Sequence, residues 1–340
     1  MMSPTPAVTS PLSPSATLPV PEIDTGAPLL FIINAASGQN DADTTRQLIE
    51  DGLRVAGRTG ELLFTPPDEL AHAAQEAAAT ASARRTAVVA VGGDGTLSAV
   101  AHAAHAQGCV MGVLPQGTFN YFARTHGLAT DTAQGLQALL RSVPMPVQVG
   151  SINDRVFLVN ASLGLYPELL QDREAYKARF GRSRLVAFLA GLITLMGRHR
   201  QLRLRIETGA DTSDVLTPTL FVGNNRLQLE QVGLPQAMAL DQGYLVAVML
   251  RPIGALAMLW LMLRGALGTL GEADTVQSFK FRHMVVKPRI AWDKRMVKVA
   301  LDGEVSWMRA PLDFQVSSKP LYLLKPINDE ATSDPEEGDK

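Results

Sequence analysis

TAVVAVGGDGT, residues Thr86–Thr96, is the stretch that decides the fold. Its first half, Thr86–Val91, is an apolar, valine-rich run of strand length, and an unbroken run of that kind suits a strand covered on both faces. Gly92-Gly93-Asp94-Gly95-Thr96 then turns the chain and opens a helix over Leu97–Gln107. Glycines at such a turn let backbone approach a phosphate closely, and the N–H groups and dipole of the helix start favour an anion. Asp94 is the odd member. An acid beside phosphate is repulsive unless a divalent cation bridges the two. The plain alternative is a glycine-rich strand-to-helix turn capped by an aspartate.

Working outward, the same strand-then-helix unit recurs. Leu29–Asn34 (LLFIIN) is a buried-strand pattern, followed by the small-residue loop Asn34–Gly38 (NAASG) and helical spacing over Asp43–Gly57. Glu61–Thr65 (ELLFT) is a strand stopped by Pro66-Pro67, and Asp68–Ala83 is an alanine-rich helix with Asp68 placed to cap it. Val110–Leu114 is a fourth strand, followed by the loop Pro115–Asn120 (PQGTFN) and a helix near Phe119–Thr125. This βαβαβαβ order predicts an α/β domain, three layers around a mostly parallel sheet. In such sheets the loops at the C-terminal strand ends converge on one crevice. Asn34–Gly38, the GGDGT turn, Pro115–Asn120 and Thr65 all fall on that edge.

After about Val147 the rhythm changes. Arg155–Asn160, Gln201–Thr208, Thr217–Val222, Gly243–Leu250, Thr275–Val286, Met296–Leu301 and Leu321–Lys325 are strand-like. They predict a β-rich second domain, a sandwich or barrel of antiparallel strands, interrupted by a helical insert over 168–197 and by 253–270. Leu301-Asp302-Gly303-Glu304 ends one strand in a turn. It is either an ordinary hairpin turn or a carboxylate placed as general base for a hydroxyl. The division expected is a proline-rich tail over 1–28, the α/β domain over 29–147, the β-rich domain over 148–327 and an acidic tail over 328–340.

The chain has 340 residues, 46% hydrophobic and 19% charged, which excludes wholesale disorder. Its single cysteine, Cys109, excludes a disulfide framework or a cysteine-rich metal site. The net charge is −2, but the tails carry eight of the 33 acids, so residues 29–327 have about five more bases than acids. That surplus suits a nucleotide or an anionic membrane surface and is too small to argue for nucleic acid. The apolar runs Leu185–Gly197 and Ile253–Leu270 are too short or too interrupted to span a bilayer. Residues 173–205, with nine Lys/Arg against Glu174, bracket the first run. A basic rim around an apolar face predicts docking on an anionic leaflet, and a buried helix is the plainer alternative. Signal-peptide features, HExxH, GxSxG and a Walker lysine are absent from the sequence.

VGGDGT (91–96), LPQGTFNYFAR (114–124), FVGNN (221–225) and LDGE (301–304), in that order, resemble the diacylglycerol kinase catalytic-domain family, which includes soluble bacterial lipid kinases and sphingosine kinases. The resemblance spans about residues 29–327 and implies a β-sandwich behind the α/β domain, with the active site in the cleft between them. It implies ATP contacts from Gly92, Gly93, Asp94, Gly95, Thr96, Leu97, Ser98 and Ala99, from Gly117, Thr118 and Asn120, and from Thr65. Asn34, Ser37 and Gly38 would border the phosphates. Glu304 would be the general base and Asp94 would organise Mg²⁺, with Asp241 in LDQGY (240–244) a further metal candidate whose spacing is shifted by one. Two departures stand out. Tyr121 replaces an aspartate common in relatives, and RLQLEQVGLP after Asn225 lacks their glycine-rich triplet.

The expectation is an ATP- and Mg²⁺-dependent kinase acting on a hydroxyl of a membrane lipid, diacylglycerol first. It would be cytoplasmic and peripherally membrane-associated, and a homodimer is the assembly entertained. The alternatives are an NAD kinase-like phosphotransferase with a soluble acceptor and a lipid- or nucleotide-binding protein without catalysis. Retention of both Asp94 and Glu304 argues against the last, because a pure binder needs no base.

Overall fold

The computed structural model describes residues 19–35, 42–165, 201–252, 273–289 and 296–327, with single positions at 167, 254, 260, 264, 269 and 271. The first unit alternates strand and helix: β1 (Leu29–Asn34), α1 (Ala42–Val55), β2 (Gly60–Thr65), α2 (Leu70–Arg84), β3 (Ala87–Gly92), α3 (Asp94–Gln107) and β4 (Val110–Pro115). The short α4 (Tyr121–Thr125), α5 (Thr132–Leu139) and β5 (Val143–Val147) follow. The second unit contains β6 (Gly150–Ile152), β7 (Arg155–Phe157), β8 (Asn160–Gly164), β9 (Leu202–Thr208), β10 (Asp211–Thr217) and β11 (Thr219–Gly223). Next come α6 (Arg226–Gln231), a 3₁₀ turn (Pro235–Gln242) and β12 (Leu245–Leu250). The unit continues with β13 (Val276–Phe281), β14 (His283–Pro288), β15 (Met296–Leu301), β16 (Glu304–Arg309) and β17 (Leu312–Val316), and the described chain closes with β18 (Leu321–Lys325).

The first sheet runs β2-β1-β3-β4-β18-β5, parallel except where β5 meets β18. Its strands are apolar at nearly every position because helices cover both faces. Leu30, Ile32, Val88 and Ala90 pack with Ala74 and Ala78 of α2 and Leu97, Val100 and Ala101 of α3. Phe31, Ile33, Val89 and Val91 pack with Ile49 and Leu53 of α1 and Leu136 of α5. The second unit is two antiparallel sheets, β10-β9-β14-β17-β6-β7 and β13-β12-β11-β8-β15-β16. Their inner faces share one core, with Ile206, Met284, Val286 and Phe314 on one side and Leu163, Val222, Ala247 and Val299 on the other. The three-layer α/β unit and the antiparallel sandwich are therefore as expected.

Several boundaries differ. Leu321–Lys325 belongs to the first sheet, since β18 pairs parallel with β4 and antiparallel with β5. An isolated apolar pentapeptide carries no mark of which sheet it will join. Residues 19–28 pack on the α/β unit rather than forming a tail. Asp24 N–H donates to Arg85 O at 2.8 Å, Tyr322 O–H donates to Pro19 O at 3.2 Å, and Ile23 packs on the core. Thr275–Val286 is two strands in different sheets, β13 and β14, broken at Arg282. Arg155–Asn160 likewise divides between β7 and β8. The cap position of α2 is Glu69, not Asp68, and it makes no side-chain cap bond. The terminal tails 1–18 and 328–340 and the insert 168–197 lie outside the described residues, as does most of 253–270. Among the described residues no helix is long and apolar enough to cross a membrane.

Candidate active site

Four loops meet at the C-terminal edge of the first sheet. After β3, Gly93 is extended and α3 begins at Asp94 without a side-chain cap. The first-turn N–H groups of a helix have no partners within it, so this end presents donors and positive dipole to an anion. The loop after β4 packs on it, with Gln116 N–H donating to Gly92 O at 2.8 Å. A Cβ at Gly117 would stand 3.2 Å from Gly93 Cα and 2.8 Å from Asn120 Oδ1, so the second loop packs this closely only with glycine at 117. Asn120 itself is left-handed, at φ 49°, and its Nδ2 donates to Gly117 O at 2.9 Å. Asn34, ending β1, donates from Nδ2 to Thr96 Oγ1 at 3.2 Å, and Ala35 N–H donates to O of the buried Thr65 at 3.0 Å.

The second unit reaches this edge through the β15–β16 hairpin. Asp302 and Gly303 form its two-residue turn, both left-handed, at φ 47° and 92°, which matches the strand twist. Asp302 is buried and its carboxylate collects four donors: Leu158 N–H at 2.9 Å, Val159 N–H at 2.8 Å, Asn160 N–H at 3.1 Å and Ser98 O–H at 3.0 Å. One side chain thus ties α3, the β7–β8 connection and the hairpin together. Burial pushes its pKa up, and the four donors pull against that rise. Two residues on, Glu304 extends over the first turn of α3, where a Cβ at Gly95 would stand 2.5 Å from Glu304 Oε1. Glu304 is exposed as a residue, yet protein around its carboxyl pushes its pKa up. Arg155 opposes the rise and Asp302 adds to it.

Asp94 stands between these parts. Burial raises its pKa and the Asp302 charge raises it further. Its Oδ1 is buried and accepts no hydrogen bond. A carboxylate oxygen out of water with no donor suits a cation, so the chemistry here fits Mg²⁺. Among the described residues no group of three or more His, Cys, Asp or Glu could hold a metal. The ion would therefore rest on Asp94 and phosphate oxygens, the usual mode for Mg²⁺.

The structure brings Asn34, Thr65, Gly92–Thr96, Gly117, Asn120 and Glu304 to one edge, with Thr118 in the same loop. Ser37 and Gly38 lie outside the described residues. Leu97, Ser98 and Ala99 are otherwise engaged. Leu97 is fully buried with its N–H on Gly93 O, Ser98 is on Asp302, and Ala99 packs against the core. The free donors that α3 offers are therefore those of its first turn, because only those N–H groups are unpaired by helix geometry. Asp241 is on the surface in an ion pair with Arg226, Oδ2 to Nη1 2.6 Å, and Arg226 also holds Glu230. That cation already satisfies the Asp241 carboxylate.

The two departures from the family pattern touch each other. Tyr121 O–H donates to Gln231 Oε1 at 2.9 Å, joining α4 to α6 across the two units. Asn225 caps α6 through Gln228 N–H and donates from Nδ2 to Tyr121 O at 3.1 Å. Asn224 donates to Leu158 O at 3.0 Å. Asn225 therefore fastens the seam between the units, while Asn224 binds within the second unit, roles their sequence does not reveal. The role of Asp302 had one local signal, the Asp-Gly pair of a tight hairpin.

Residues 28–152 match the diacylglycerol kinase catalytic domain. A Pseudomonas putida protein named "Probable lipid kinase YegS-like" is 30% identical over 264 residues, 73% of this chain and 80% of that protein. The Synechocystis protein sll0036 is 28% identical over 139 residues, so the match covers 40% of this chain and only 31% of that longer protein. A diacylglycerol kinase structure from Bacillus anthracis superposes over 89% of this chain and 97% of its own, with a TM-score of 0.63 at 18% identity, a likeness of fold. The catalytic-domain match covers the strand-end loops of the first sheet, and the match with the Pseudomonas putida relative spans 73% of the chain: the chain belongs to the diacylglycerol kinase catalytic-domain family of lipid kinases.

Proposed function

We propose that this chain transfers the γ-phosphoryl group of ATP, with Mg²⁺, to a hydroxyl of a membrane lipid met at an anionic membrane surface, diacylglycerol being the first candidate. The observation that carries the reading is the approach of Glu304 to Gly95 in the first turn of α3. It sets a proton acceptor beside backbone donors suited to phosphate. Phosphoryl transfer needs positioning, charge stabilisation and a base, and no covalent intermediate. The first-turn N–H groups of α3 bind phosphate oxygens, and Gly117 keeps the two loops close. Glu304 accepts the hydroxyl proton as the lipid oxygen attacks the γ-phosphorus, whose bond to the β–γ bridging oxygen breaks and releases ADP. Asp94 would hold the Mg²⁺, which when bound would supply positive charge against the developing charge on the phosphate. Thr65, Asn34, Ser37, Gly38, Thr118 and Asn120 complete the nucleotide site on the family pattern.

The test is phosphate transfer from labelled ATP with Mg²⁺ to dispersed diacylglycerol, to NAD, and with neither present. Labelled lipid and unlabelled NAD are expected. Labelled NAD, or ATP turnover indifferent to lipid, overturns the reading.

A further inference from the structure

The hairpin that carries Glu304 at its tip has a different chemistry along its outer face. Val299, Leu301 and Met308 point into the sandwich core. By strand alternation Met296, Lys298, Trp307 and Arg309 stand on the opposite face. β16 is the last strand of its sheet. Trp307 is 60% exposed and Met296 48%, far more than large apolar side chains need be. The register sets Lys298 opposite Trp307 and Met296 opposite Arg309, and Lys298 Nζ lies 5.4 Å from the Trp307 ring centroid. Neither strand places an acid on this face.

An indole beside lysine and arginine is the composition of the membrane–water interface. The ring settles among headgroups and the cations meet lipid phosphates. We propose that the outer face of the β15–β16 hairpin docks on an anionic membrane surface, with Trp307 in the headgroup layer. This rests on the lipid-kinase reading above. Trp307 follows Glu304 by three residues on one strand, about 10 Å at the strand rise. By the same alternation Glu304, opposite the core residue Leu301, stands on the other face of the hairpin. A second copy of the chain is the poorer occupant, because a twofold contact would bring two basic patches together, each carrying Lys298 and Arg309.

The test uses the full chain with Trp260→Phe and Trp292→Phe, so that Trp307 is its only indole. It is titrated with vesicles of phosphatidylcholine alone or with phosphatidylglycerol, without ATP or acceptor lipid, so the result stands whether or not the chain phosphorylates lipid. Expected are a blue shift and quenching by brominated lipid on anionic vesicles only, both fading as salt rises. In the otherwise unaltered chain, Trp307→Ser with Arg309→Glu should keep the melting temperature and lose about tenfold or more in vesicle sedimentation. Unchanged sedimentation of that variant, vesicle binding with no change in Trp307 emission, or a change of oligomeric state in place of lost binding would each overturn the proposal.

Discussion

The carboxylate of Glu304, on the sandwich, lies over Gly95, on the nucleotide-binding unit, so closely that a methyl group on residue 95 would displace it. Glycine inside a helix costs up to about 1 kcal/mol relative to alanine. Gly95→Ala should therefore hold or raise the melting temperature while pushing the base aside, and a displacement of about 1 Å can cost roughly 100-fold in rate. Thermal melting and lipid phosphorylation on one preparation check this. A stable variant with full activity would mean that the approach is not the working geometry.

The same substitution should have opposite effects at two neighbouring acids. Asp94 has its pKa raised by burial and by Asp302. A folded-state pKa above the unfolded one means that stability present below the unfolded pKa is lost as pH rises through the folded pKa. At neutral pH the charge of Asp94 thus works against folding. Asp94→Asn should raise the melting temperature of the nucleotide-free protein and cut phosphoryl transfer about 100-fold or more.

At Asp302 both oxygens already accept donors. An amide there turns a donor toward donors and strands a buried N–H, at a cost of about 1–3 kcal/mol. Asp302→Asn should lower the melting temperature under the conditions in which Asp94→Asn raises it. Shifts of the same sign would contradict this account of the two carboxylates.

The pH dependence follows from Glu304. Its pKa is raised, chiefly by burial of the carboxyl. A base works only when deprotonated, so activity falls as pH drops through that pKa. The acid limb of kcat/KM should lie above the ordinary glutamate range and be lost in Glu304→Gln. An acid limb that survives in that variant would assign it to another group.

The α/β unit was legible because parallel strands covered on both faces write unbroken apolar runs, and Thr86–Thr96 places strand, turn and helix in one phrase. The loops of the site were legible for the same reason, since strand ends fix which loops share an edge. The return of Leu321–Lys325 to the first sheet was not legible, because pairing across the whole second unit leaves no local mark. The partners of Asp302 were equally hidden. Three of its four donors are backbone groups, which no residue identity announces. The Tyr121–Gln231 contact shows two apparent defects of a motif to be one tie between units.

The central claim is that Glu304 is the proton acceptor of a lipid kinase. Glu304→Gln keeps the side-chain shape and removes the basic oxygen. ATP binding and lipid phosphorylation should be measured on the same preparation. The account predicts ATP affinity within a few-fold of the unaltered protein and phosphorylation lower by roughly 10²–10⁴. Retention of both would contradict it, and loss of both with a lowered melting temperature would reassign Glu304 to the folding of the hairpin.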